Sequence, residues 1–158
     1  MKKIIMLFTT LLFFTMTACA NGNSDTMAEP VETTTTEASG TTMNITLTIG
    51  TKTFSATLAD NSTTRALVSQ FPLTLDMSEL NGNEYYVYLD NSLPTAGKNP
   101  RTINAGDIKL YGSSCLVIFY KSFSTSYSYT DLGTISDTTG LLDALKKSGG
   151  KVTFTVVK

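Results

Sequence analysis

Gly106-Asp107-Ile108-Lys109-Leu110-Tyr111, Leu116-Val117-Ile118-Phe119-Tyr120 and the run from Ser122 to Thr130 decide the fold of this 158-residue chain. The first two segments are rich in β formers and frame a short Gly112-Ser113-Ser114 turn. Leu116 to Tyr120 is apolar without alternation, which predicts the most buried strand of the protein. The third segment sets Phe123, Tyr127 and Tyr129 among hydroxyls and reads as a polar, aromatic loop. Any ligand surface is expected there.

Working outward, Met43, Ile45, Leu47 and Ile49 alternate with Asn44, Thr46 and Thr48, the period of a half-buried strand. Gly50-Thr51-Lys52 turns the chain, and Phe54, Ala56 and Leu58 alternate again, giving a hairpin. Asp60 or Asn61 is expected to cap a helix that runs to Phe71 and is ended by Pro72. Leu73 and Leu75 begin another strand, followed by Glu79-Leu80 and an Asn81-Gly82-Asn83 turn. Tyr85 to Leu89 reads as a strand with both faces occupied, and Asn91 to Arg101, with Pro94, Gly97 and Pro100, as an exposed loop. Beyond the aromatic loop, Gly133-Thr134-Ile135 is expected to pair briefly. Asp137 or Thr138 caps a second helix carrying Leu141, Leu142 and Leu145, and Gly149 ends it with Lys146 and Lys147 at its negative end. Val152, Phe154 and Val156 form the closing strand.

About eight short strands with two helices suit a closed antiparallel β-barrel, because closure removes exposed edges. The helices are too few to serve as crossovers in a parallel α/β sheet. The folded unit is expected over residues 43–158.

The chain ahead of it reads as an address and a spacer. Lys2 and Lys3 precede an apolar run from Ile4 to Phe14, and Met16-Thr17-Ala18-Cys19 follows. That is the order of a secretory signal. The run is shorter than the roughly 20 residues a bilayer span needs. The cysteine makes residues 1–19 resemble a lipoprotein leader with a lipobox, which implies a diacylglyceryl thioether on Cys19, cleavage before it, palmitate-type acylation and residence at the bacterial cell envelope on the extracytoplasmic side. Residues 20–42 hold four acidic and no basic side chains, four consecutive threonines and almost no large apolar group. They are expected to form a disordered tether whose ends lie roughly 25 Å apart.

Composition excludes more than it suggests. Residues 43–158 carry 10 basic and 9 acidic side chains, so there is no electrostatic footprint for nucleic acid. The chain contains no histidine, which removes the commonest general base and metal ligand, and no metal or cofactor is expected. Cys115 stands at the head of an apolar strand, where a lone cysteine packs as a small hydrophobe. Asp107 is expected to make a local turn bond. Lys121 and Ser122 are adjacent, and on a strand they face opposite ways, so they do not form a base–nucleophile pair. Gly149-Gly150-Lys151 follows a helix and is read as its C-cap, not as a phosphate loop.

In the order Asn81-Gly82-Asn83-Glu84-Tyr85-Tyr86, Leu93-Pro94-Thr95, Ile103 to Ile108, Leu116 to Tyr120, Phe123 to Thr130 and Leu132 to Ile135, residues 43–158 resemble the cyclophilin-like β-barrel family found in bacterial lipoproteins and small reductase-associated proteins. The resemblance implies the barrel. In prolyl isomerases of this fold an arginine polarises the substrate carbonyl, beside a glutamine, a tryptophan and a histidine. The strand that would hold the arginine reads Glu84-Tyr85-Tyr86-Val87-Tyr88-Leu89, Ser113-Ser114-Cys115 stands where the glutamine belongs, and the chain has neither tryptophan nor histidine. Neither Arg65 nor Arg101 matches the motif.

The expected function is therefore a lipid-anchored, non-catalytic module that binds a peptide, small ligand or protein partner. All seven tyrosines lie between Tyr85 and Tyr129, and Tyr111, Tyr120, Phe123, Tyr127 and Tyr129 are the candidate binding residues. A divergent prolyl isomerase and an accessory partner of a surface redox protein are the alternatives; the second follows only from the resemblance.

Overall fold

The structure, a computed structural model, describes residues 42–157. The leader, Cys19 and nearly all of the proposed tether lie outside the described residues.

Nine strands form one antiparallel sheet: β1 (Met43–Ile49), β2 (Lys52–Leu58), β3 (Leu73–Asp76), β4 (Ser78–Leu80), β5 (Glu84–Tyr88), β7 (Asp107–Tyr111), β8 (Cys115–Phe119), β10 (Tyr129–Ile135) and β11 (Lys151–Val156). Their order across the sheet is β3-β11-β1-β2-β10-β7-β8-β5-β4. The two edge strands, β3 and β4, are separated in sequence by Met77 alone. A sheet whose outermost strands are one residue apart must roll up, and the result is a nearly closed barrel. Met77 N–H donates to Gly150 O at 2.9 Å, which carries the β3–β11 ladder up to the seam.

Inside, the alternating residues of the first hairpin meet Ile108, Leu110, Leu116, Ile118 and Phe154 in one core. Two helices of seven residues each contribute to it: α1 (Ser62–Val68) through Leu67, and α2 (Leu141–Lys147) through Leu141, Ala144 and Leu145. A second, smaller cluster lies on the outer side of β8. A ribbon made of β6 (Thr102–Ile103) and β9 (Phe123–Ser124) covers it, so Ile103 and Phe123 pack on Val117, Phe119 and Tyr129. Buried on both faces, β8 has no polar side to keep wet, which accounts for its unbroken apolar sequence.

The mainly β barrel with two helices is as expected, and so is the burial of β8. Five local expectations need correction. The run from Ser122 to Thr130 is not wholly a loop, and residues 133–135 do more than pair briefly: β10 begins at Tyr129 and bridges β2 to β7. A register shift between Asp131 and Gly133 puts Leu132 and Ile135 into the same core three residues apart, which hides the period of two. Gly133 suits this place because a Cβ there would collide with the backbone of Thr57 and Leu58.

The 91–101 segment is largely exposed, yet Leu93 is buried in the core, and Lys98 exchanges two backbone bonds with Tyr129. The first helix ends at Val68; Gln70 and Phe71 continue it only as tighter turns onto Leu67 O and Val68 O, as the residue before proline avoids the α conformation. The second helix is capped by the left-handed Gly140, while Asp137 Oδ1 accepts from the Thr139 N–H one turn earlier. The other end behaves as anticipated: Gly149 and Gly150 N–H donate to Lys146 O and Leu145 O, a Schellman cap. Asn61 caps α1, accepting from Thr64 N–H at 2.9 Å while Thr64 Oγ1 accepts from Asn61 N–H.

Candidate functional site

The outer face of the barrel beyond the covering ribbon carries one row of paired residues. Tyr88 on β5 is opposite Cys115 on β8, Cys115 is opposite Tyr111 on β7, and Tyr111 is opposite Tyr129 on β10. Tyr86 and Val117 face each other in the neighbouring row, two residues along and so on the same face. Small Cys115 and Val117 between tall tyrosines leave a groove of about 270 Å³. Leu80, Asn81 and Glu84 wall one end, and Tyr127 leans over from the segment before β10.

The rings hold one another in place. Tyr127 packs edge-on against Tyr111 at 5.9 Å between centroids, and Tyr111 lies 5.6 Å from Tyr129. The chain of rings continues through Phe119 to Phe123. Tyr86 and Tyr88 form a second edge-to-face pair at 5.9 Å. Such pairs contribute about 0.5–1.5 kcal/mol each beyond burial, enough to fix a groove before anything occupies it.

Of the five residues expected to bind, three meet here. Tyr111 and Tyr127 are 44% and 61% exposed on the rim, whereas Tyr129 is buried in the wall. Phe123 lies behind, against Phe119 in the covered cluster. Tyr120 is elsewhere: it packs beside Tyr85 on the barrel core, its hydroxyl donating to Glu79 Oε1 at 2.8 Å. Sequence reasoning missed Tyr86, Tyr88 and Glu84 as groove residues. The alternation of Tyr86 and Tyr88 about Val87 was a usable signal, because residues two apart on a strand share a face.

Electrostatically the groove is one-sided. Glu84 is the single charged residue of its lining, and burial, followed by the neighbouring Glu79, raises its carboxyl above the ordinary range. Burial and then Glu84 push the Cys115 thiol up, so it stays protonated and unreactive, as a packing cysteine should. Neither arginine lines the groove: Arg65 pairs with Asp60 beside α1, and Arg101 is exposed in a turn.

The other groups weighed from the sequence are engaged locally. Ser122 Oγ accepts from Ala105 N–H, while Lys121 Nζ sits over the Tyr120 ring. Asp107 accepts from Asn104 N–H, the expected turn bond, and also pairs with Lys109. Among the described residues no three His, Cys, Asp or Glu side chains are placed to hold a metal ion, and no helix is long and apolar enough to cross a membrane.

Comparison with known proteins agrees with this architecture. The model of a family described as "Cyclophilin-like family" matches residues 47–157, well over half of the chain. No curated protein matches. The chain belongs to the cyclophilin-like family.

Proposed function

We propose that this cyclophilin-like protein is a non-catalytic binding module that receives its ligand in the tyrosine groove. One observation carries the reading. Among the described residues, six large apolar side chains are exposed, and Leu80, Tyr88, Tyr111 and Tyr127 all line this single groove; the other two, Val156 and Val157, are at the end of the chain. Exposed apolar side chains scattered singly need no explanation, but a rimmed concentration of them marks a contact surface. Tyrosine suits it, presenting a broad apolar face and a wet hydroxyl at little entropic cost.

Carbonyl polarisation for prolyl isomerisation needs a cation or strong donor over the substrate, and the groove lining supplies no Lys or Arg. A protease-coupled prolyl peptide assay is expected to return the background rate. For the binding reading, the test is a screen of peptides and small molecules against the chain, with each hit repeated on Tyr111→Ala and Tyr127→Ala. Both side chains are exposed enough for truncation to leave the barrel folded, unlike buried Tyr129, where loss of the ring costs about 3–5 kcal/mol. Hits weakened on both variants support the groove; hits indifferent to both refute it.

The same proposal places the module at the bacterial envelope, anchored through lipid on Cys19. Its support is the order of Lys2-Lys3, the apolar run and Met16-Thr17-Ala18-Cys19. Cys19→Ser is expected to move the protein from the membrane to the soluble fraction, and unchanged membrane association would refute the anchor.

A further inference from the structure

Resting on the groove as the binding surface, the charge and size of its lining define what it takes. We infer that the groove receives a cationic side chain, lysine or arginine, of a peptide, with the alkyl stem on Val117 and Cys115 and the charge among the tyrosine faces and Glu84.

The lining contains one acidic residue and no basic one. The other partly buried carboxylate, Asp107, is paired with Lys109, and the exposed Glu79 accepts from Tyr120 and Gly82. Among the described residues Glu84 enters no ion pair within 4.0 Å. A half-buried carboxylate without a cation is unfavourable on its own, and a bound cation is what relieves it. Glu84 lines the groove from the start of β5, two residues from Tyr86 and so on the same face.

The aromatic groups add the same preference. Tyr86, Tyr88, Tyr111 and Tyr127 surround the floor from β5, β7 and the segment before β10, and the faces of aromatic rings attract cations. Val117 and Cys115 are apolar and suit the methylenes of a long stem. At about 270 Å³ the groove lies just below the roughly 300–1,000 Å³ typical of whole-ligand sites, so it matches one long side chain better than a complete cofactor. An anionic ligand would meet Glu84 without any opposing charge.

The test is a titration of the full chain with blocked peptides Gly-Gly-X-Gly-Gly, where X is Lys, Arg, Gln, norleucine or Glu, read by the NMR shifts of groove residues. The Lys and Arg members are expected to bind at least about fivefold tighter than norleucine and Gln, with Glu weakest. In Glu84→Gln, a near-isosteric change checked by its melting curve, Lys and Arg affinity is expected to fall about tenfold while norleucine is unchanged. Norleucine binding as well as Lys, or Lys affinity unaltered by Glu84→Gln, overturns the cationic preference while the groove stands. Absence of binding by every member also overturns it. The groove itself fails by a separate result, screening hits that ignore Tyr111→Ala and Tyr127→Ala.

Discussion

Cys115 and Tyr111 stand directly opposite each other across the β7–β8 pair, and their difference in size makes the floor of the groove. Enlarging the small partner should fill it. Cys115→Leu is expected to weaken groove ligands by at least about tenfold, at an overpacking cost of about 1–3 kcal/mol. Cys115→Ser is expected to leave the groove open. The wild-type thiol, buried and raised, is expected to react with alkylating reagents much more slowly at neutral pH than after unfolding. Equal ligand affinity in Cys115→Leu, or rapid alkylation of the folded protein, would contradict this placement.

The barrel seam predicts a contrast between neighbouring glycines. A Cβ on Gly150 would run into the carbonyl of Met77, and its φ of 84° is unfavourable for any L side chain. Gly150→Ala is expected to cost about 2–4 kcal/mol in urea unfolding. Gly149, at φ 65° with open space around it, should cost about 1 kcal/mol. Equal costs for the two would mean that the seam does not close at Met77.

Lys109 is an outward-facing residue of β7 that is nonetheless buried, 3.3 Å from Asp107 and 2.9 Å from Asp131. Asp107 is largely buried, whereas Asp131 is 70% exposed, so the two pairs differ in weight. Lys109→Met keeps the stem and strands Asp107, and is expected to cost about 1–3 kcal/mol. Adding Asp107→Asn should recover most of that in a double-mutant cycle, while Asp131→Asn alone should stay below about 1 kcal/mol.

Tyr120 is expected to ionise late in an alkaline titration. Burial, and then its hydrogen bond to Glu79, push the Tyr120 phenol up to about 12 from 10.0. A raised acid favours the folded state while protonated. Its contribution is complete below pH 10 and is lost as pH climbs toward about 12. Tyrosinate absorbance after rapid alkaline mixing should show a late step that Tyr120→Phe removes and Glu79→Gln moves to lower pH. A late step surviving Tyr120→Phe would assign it elsewhere.

Much of this was legible from the residues, and the exceptions have physical causes. The first hairpin, the buried strand and the C-cap after Lys147 were readable because each shows a local pattern: alternation at Ile45, Leu47 and Ile49, a continuous apolar run, or Gly149 after two lysines. Strand β10 was hidden because its bulge sets Leu132 and Ile135 out of phase. The clustering of tyrosines was visible, but their sorting was not. Tyr120 follows Phe119 at the end of β8 and turns to the core, while Tyr86 and Tyr88 turn out; which face looks outward depends on register with β8, a long-range property. Glu84 likewise acquires its isolation only from what the fold leaves around it.

The most direct test of the groove uses that sorting as an internal reference. With ring-labelled tyrosine, a ligand recovered from the screen is titrated while all seven tyrosine rings are followed by NMR. Tyr86, Tyr88, Tyr111, Tyr127 and Tyr129 are predicted to shift together, while Tyr85 and Tyr120, on the core side of the barrel wall, remain still. Movement confined to Tyr85 and Tyr120, or saturation of binding with the five groove rings unmoved, would contradict the account.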